Sequence, residues 1–211
     1  MIFDAIVLTG GLSSRLGGEA KAALVVEGRS LLATALAAAA GARRTVVVGD
    51  TTAVPAGVRV TREDPPFGGP AAAIAAGMGA LAAEAGSDFT LVLACDMPKS
   101  FAAVGELVTR AGTLDGTDGV VAVDEDGHRQ QLLGLYRSGP LAAAVQGFGS
   151  DIQNLAVRAL LAGLTLVEVP VPPGSTADVD TWADAERFGI ERPPSPATTQ
   201  TDSTAQREDN P

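Results

Sequence analysis

The residues that could do chemistry fall in a few short runs. LTGGLSSRLGGEAKAAL, residues 8–24, sets Gly10, Gly11, Gly17 and Gly18 around two serines, Arg15 and Lys21. Glycine permits positive φ and lets successive backbone N–H groups turn inward, so such a loop can wrap a chain of phosphates. Arg15 would add a planar fork of donors and Lys21 a point charge. The run is neither GxGxxG nor GxxxxGK[ST], so it is neither a dinucleotide fingerprint nor a P-loop. Asp96, in CDMP, comes straight off the apolar run FTLVLA (89–94). A carboxylate there is costly inside a core but useful at a crevice rim, where it can hold Mg²⁺. Asp178 and Asp180 lie two apart and would share one side of an extended segment. Either can complete a two-carboxylate metal site with Asp96, or cap the helix expected to follow. A glycine cradle, two cations and carboxylate-held Mg²⁺ suit transfer at phosphorus, which needs in-line positioning and charge neutralisation more than covalent help.

These runs must be brought together by the elements around them. FDAIVLT (3–9) is an apolar, β-branched run that predicts a buried strand. Ser30 is placed to cap the alanine-rich helix LLATALAAAA, which ends near Gly41. RTVVVG (44–49) and GVRVTR (57–62) predict two further strands, EDPPFGGP (63–70) a loop, and residues 71–85 a helix starting just after Pro70. FTLVLA is the next strand and 100–111 the next helix. Strands alternating with helices imply a parallel sheet covered on both faces. GVVAV (119–123) and QLLGLYR (131–137) read as two strands joined by a tight turn, followed by helices at 138–147 and 151–162. LTLVEVP (164–170) is a last strand and TWADAERFG (181–189) a closing helix. Ligands of open parallel sheets bind beyond the carboxyl ends of the strands. The glycine loop, EDPPFGGP, CDMP and GSTADVD would then face one crevice.

Composition narrows the class. The chain has 211 residues, enough for one domain with a sizeable core, and a net charge of −10. That charge makes generic nucleic-acid binding a poor expectation, since phosphate neutralisation drives it. A phosphate-bearing ligand therefore needs a local cation cluster or a metal. No uncharged apolar run reaches the roughly 18 residues of a membrane span, and the first residues have no basic region or cleavage site of a leader. A single cysteine, Cys95, excludes an internal disulfide and fits a reducing cytoplasm. Cys95 is read as a small buried hydrophobe, His128 as exposed in the turn DEDGHR, and Trp182 as a packing residue. Arg137, ending a strand, is a weaker candidate for substrate contact. Residues 1–191 are expected to form the domain and 192–211, rich in Pro, Ser, Thr and Gln, a disordered tail.

The order LTGGLSSRLGG…K, EDPPFGGPAAAI, VLACDMP, QQLLGLYR and DVDTWADAE resembles the molybdenum cofactor guanylyltransferases, of the MobA-like nucleotidyltransferase group. The resemblance spans residue 3 to about 190 and implies a three-layer Rossmann-like α/β fold with a mostly parallel sheet, of the nucleotide-diphospho-sugar transferase type. It implies a transfer of GMP from GTP to the terminal phosphate of molybdopterin, with Mg²⁺ present. Products would be molybdopterin guanine dinucleotide and pyrophosphate. Leu8, Gly10 and Gly11 match the edge of the base pocket, Lys21 the phosphate-binding lysine, and Asp64 an aspartate near the nucleotide. Asp96 matches the metal-binding aspartate, and Gly69 and Pro70 the loop where ribose and base contacts gather. The implied partners are GTP, molybdopterin, and molybdoenzymes or other cofactor-biosynthesis proteins. Ala20 stands where the family usually has an aspartate before its lysine, and Leu16 where it has a methionine. The family's Asn-x-Asn-Thr-Pro reads DVDTW here, and Asp178 and Asp180 there resemble the cytidylyltransferases. Paired Gly10 and Gly11 point to guanine. Transfer from CTP or to a sugar phosphate, and a non-catalytic cofactor-binding protein, are the alternatives.

Overall fold

The structure is a computed structural model that describes residues 1–9, 21–51, 54–82 and 86–190. Gly10, Gly11, Arg15 and the expected tail at 192–211 therefore lie outside the described residues. A seven-stranded sheet is built from β1 (Phe3–Leu8), β4 (Thr45–Val48), β5 (Arg59–Thr61), β6 (Phe89–Ala94), β7 (Gly119–Val123), β8 (Arg129–Arg137) and β9 (Leu166–Pro170). The order is β5-β4-β1-β6-β8-β7-β9. Only β8 runs against its neighbours; the pairs β4–β5, β1–β4, β1–β6 and β7–β9 are parallel. The expected mostly parallel α/β sheet is present. Its helical cover is α1 (Leu31–Ala38), α2 (Gly69–Leu81), α3 (Ser100–Ala111), α4 (Ser138–Phe148) and the single turn α5 (Val157–Leu160).

Alternation along the strands divides the core in two. Phe3, Ala5 and Val7 of β1 join Leu32, Ala35, Val104 and Leu107 of α1 and α3 on one face. Ile6 and Leu8 turn the other way, onto Ala72, Ile74, Leu141 and Leu160 of α2, α4 and α5. Both faces of β1 and β6 are thus buried, as a continuous apolar run between two helical layers requires. Among the described residues no helix is long and apolar enough to cross a membrane.

Ser30 caps α1 as expected, its Oγ accepting the Ala33 N–H at 3.1 Å. Helix α2 starts two residues earlier than expected, with Pro70 in the first turn, where a missing N–H costs nothing. One helix over 151–162 is not formed. Gly149 and Asn154 adopt positive φ, 52° and 57°, so the segment breaks into a 3₁₀ turn (Gly149–Ile152) and α5. The Asn154 N–H is used instead by the Gly68 carbonyl, at 2.7 Å. A small hairpin, β2 (Val25–Val26) and β3 (Arg29–Ser30), was not anticipated; Glu27 and Gly28 form its two-residue turn, both at positive φ.

Gly77 of α2 lets the helix pack directly on the Ile6 side chain of β1. A Cβ there would meet Ile6 Cγ2 at 2.7 Å and Cδ1 at 2.9 Å. Gly77→Ala should therefore destabilise the fold by about 1–3 kcal/mol, the usual cost of overpacking a filled core. Urea unfolding checks this, and an unchanged midpoint would mean that α2 shifts off the sheet at little cost.

Candidate active site

The carboxyl ends of β4, β1 and β6 lie side by side, with Leu8 level with Val48 and Ala94. Past these ends, the Thr9 N–H bonds the Val48 carbonyl at 2.9 Å and the Cys95 N–H bonds the Leu8 carbonyl at 2.9 Å. The next residue after Cys95 is Asp96. Its side chain is thereby held at the rim, 23% exposed, rather than in the core. Leu8 itself is buried as the last residue of β1.

A third apolar cluster brings the C-terminal segment to this rim. Leu31, Val179, Ala185 and Ile190 form its centre, with Leu24, Val26, Trp182 and Phe188 packed around it. Trp182 is thus a packing residue, as expected. The cluster clips α6 (Trp182–Arg187) onto Leu24 and Val26 at the β2–β3 hairpin and Leu31 at the start of α1; the hairpin follows directly on the 3₁₀ turn Lys21–Ala23. The Val179 N–H donates to the Asp96 carbonyl at 3.0 Å, so the chain just before Asp180 is tied to the chain at Asp96. The cap of α6 is Thr181, not Asp180. Thr181 Oγ1 accepts from Asp184 N, and the Asp184 carboxylate accepts in return from the Thr181 N–H and hydroxyl. The carboxylate of Asp180 is therefore left for other work.

That work is shared with Lys21. The Lys21 Nζ donates to Asp96 Oδ2 at 3.0 Å and to Asp180 Oδ1, across 75 and 159 residues of sequence. Lys21 is only 17% exposed. Burial by itself would disfavour its ammonium, but the charges of Asp96 and Asp180 outweigh this and hold its pKa above the usual lysine value. Asp178, more exposed, has its pKa raised, by burial first and then by the charges of Asp180 and Asp96. Three carboxylates and one ammonium thus gather where the sequence places the phosphate and metal chemistry. Asp96 and Asp180 aim hard, anionic oxygens at one cation position. That donor set suits Mg²⁺, which takes one or two carboxylates and leaves its other positions to water and substrate phosphates.

Other expected residues sit elsewhere. Asp64 is exposed and makes no hydrogen bond or ion pair with Lys21, Asp96 or Asp180. Its loop is organised locally: Glu63 Oε1 accepts the Phe67 N–H at 3.1 Å, and Arg62 stands 4.9 Å over the Phe67 ring. Gly69 has φ +84°, and a Cβ there would meet Asn154 Cα at 3.6 Å. Pro70 is exposed. Sheet topology puts this loop at the same edge as Asp96, while its bonds run to the 149–154 segment. Arg137 is at the opposite edge, level with Phe89 at the start of β6, where it stacks on that ring and donates to the Thr117 carbonyl. It is not a site residue, because β8 runs antiparallel and carries its last residue away from the crevice. The Cys95 thiol is buried and pushed up to about 12 by that burial, so it supplies no thiolate at neutral pH. His128 is exposed near Asp124, whose carboxylate is used by the backbone of its own turn and by Gln130.

Several solved structures share this fold. Molybdopterin-guanine dinucleotide biosynthesis protein A of Archaeoglobus fulgidus matches with a TM-score of 0.64 and 18% identity, over 88% of this chain and 96% of that one. The 2-C-methyl-D-erythritol 4-phosphate cytidylyltransferase of Francisella tularensis matches with a TM-score of 0.69 and 13% identity, over 90% and 99%. A nucleotidyl transferase of Methanothermobacter thermautotroptrophicus matches with a TM-score of 0.64 and 22% identity, over 89% and 95%. No curated protein matches the sequence. The fold is that of the nucleotidyltransferases. The chain belongs to the MobA-like NTP transferase domain family, whose sequence model matches residues 5–167. That match ends before Asp178 and Asp180, so the carboxylates of the C-terminal segment join the site through the contacts above.

Proposed function

We propose that the protein is a molybdenum cofactor guanylyltransferase, moving GMP from GTP to the terminal phosphate of molybdopterin. The observation that carries the transfer chemistry is the convergence of Lys21, Asp96 and Asp180 at the carboxyl edge of the sheet. Asp96 and Asp180 would hold Mg²⁺, which offsets phosphate charge and aligns the triphosphate. Lys21 would contact the phosphates and stabilise the charge growing on the leaving pyrophosphate. The attacking oxygen belongs to the pterin's terminal phosphate. It forms a bond to the α-phosphorus of GTP as the bond to the bridging oxygen of the β-phosphate breaks. The attacker is already anionic, so no general base is required. Buried Cys95 and remote His128 accordingly have no part in the step. Leu8, Gly10, Gly11, Asp64, Gly69 and Pro70 are assigned to the nucleotide on the family resemblance, and Arg15 with Lys21 to its phosphates. The guanine and pterin assignments rest on that resemblance and on the likeness to the Archaeoglobus protein. Molybdoenzymes or cofactor-biosynthesis proteins of the cytoplasm would receive the product.

A second reading, transfer from CTP, is favoured by one observation: Asp180 turns its carboxylate into the site, as cytidylyltransferase-like DVD would require. A panel separates the two. The protein is incubated with Mg²⁺, molybdopterin and each nucleoside triphosphate in turn, and pyrophosphate is measured. GTP is expected to give the highest kcat/KM. A preference for CTP would overturn the base assignment, and no pyrophosphate with any nucleotide would favour a binding protein.

A further inference from the structure

The Lys21 ammonium lies where the two site carboxylates point, bonded to Asp96 and to Asp180. Among the described residues no other cation pairs with either of them. The carboxylates are the fixed parts. Asp96 follows a buried strand and its carbonyl is bonded to Val179 N, while Asp180 stands between buried Val179 and the capping residue Thr181. The backbone of Lys21 is fixed as well, by the turn bond from Leu24 N to its carbonyl at 3.1 Å and by buried Ala22 beside it. What can move is the lysine's four-carbon stem.

We infer that Lys21 is the resident cation of the Asp96–Asp180 site and that it competes with a divalent metal ion for those carboxylates until a triphosphate draws the ammonium away. Metal and ammonium cannot both fill the position, so each weakens the other by the same factor. The free protein therefore binds a divalent ion weakly, and the ion is taken up together with the nucleotide. A cation thus stands between the two carboxylates at every stage. It rests on the proposed reaction only for the identity of the group that draws Lys21 away.

The test is Mn²⁺ binding to the nucleotide-free protein, followed by electron paramagnetic resonance of the free ion. Lys21→Ala should bind Mn²⁺ roughly ten-fold more tightly than the wild type, the scale set by releasing two partly exposed ion pairs. Lys21→Met, which keeps the stem and its packing, should show the same gain and serves if the alanine variant folds poorly. Adding Asp96→Asn to Lys21→Met should remove the gain. Unchanged or weaker Mn²⁺ binding in both lysine variants would overturn the inference, as would a gain that survives Asp96→Asn. A protein that releases no pyrophosphate with any nucleotide, yet shows the gain, would contradict the proposed reaction and leave the competition at the carboxylates standing.

Discussion

Asp96→Asn should lower turnover by roughly 10²–10³-fold, the scale of losing one preorganised charge contact in a site of this kind. The substitution keeps the shape of the side chain and removes its charge. It leaves the backbone bond from Val179 N to the residue-96 carbonyl untouched, and the side chain stands at the rim rather than in the core. The melting temperature should therefore change little. The measurement is kcat at saturating Mg²⁺ beside a thermal melt of both proteins. Near wild-type turnover in the variant would remove Asp96 from the mechanism. A variant that is inactive because it has unfolded would instead give Asp96 a structural role.

Lys21→Ala should lower kcat by roughly 10²-fold while raising KM much less, because the contact to the departing phosphates strengthens in the transition state. The ground-state cost is small for a second reason. On the proposed reaction, the wild-type lysine would give up its bonds to Asp96 and Asp180 before reaching a phosphate, and that exchange would offset part of its binding energy. Steady-state kinetics with GTP varied at fixed acceptor separate the two effects. A variant with unchanged kcat and a greatly raised KM would mean that Lys21 binds substrate and transition state alike.

Much of this arrangement was legible in the sequence. FDAIVL and FTLVLA announce strands buried on both faces, and Asp96 directly beyond the second of them announces a rim carboxylate. Ser30 before LLATALAA announces a capped helix. The turn DEDGHR between two apolar runs announces the antiparallel pairing of β7 and β8. Other features had a local signal that needed a different weighting. Glu27–Gly28 between VV and RS marks a two-residue hairpin, and Thr181-x-x-Asp184 marks a reciprocal cap, which frees Asp180 from capping. The rest is not written locally. That β8 inserts between β6 and β7 is a matter of long-range pairing, and its antiparallel direction beside β6 sends Arg137 to the edge away from the site. The bridge from Lys21 to Asp180 spans 159 residues and depends on the cluster of Leu31, Val179, Ala185 and Ile190, whose members look like ordinary core residues. The break of 151–162 into two short turns depends on Asn154 N finding the Gly68 carbonyl, a partner from another part of the chain.

The measurement closest to the central claim follows the phosphorus atoms of GTP. The protein is incubated with Mg²⁺, molybdopterin and GTP labelled either at the α- or at the γ-phosphorus, with α-labelled CTP as the competitor. The account predicts that the α-label of GTP enters a pterin dinucleotide while the γ-label leaves in pyrophosphate. An α-label that never joins the pterin, or that joins it from CTP in preference to GTP, would contradict it.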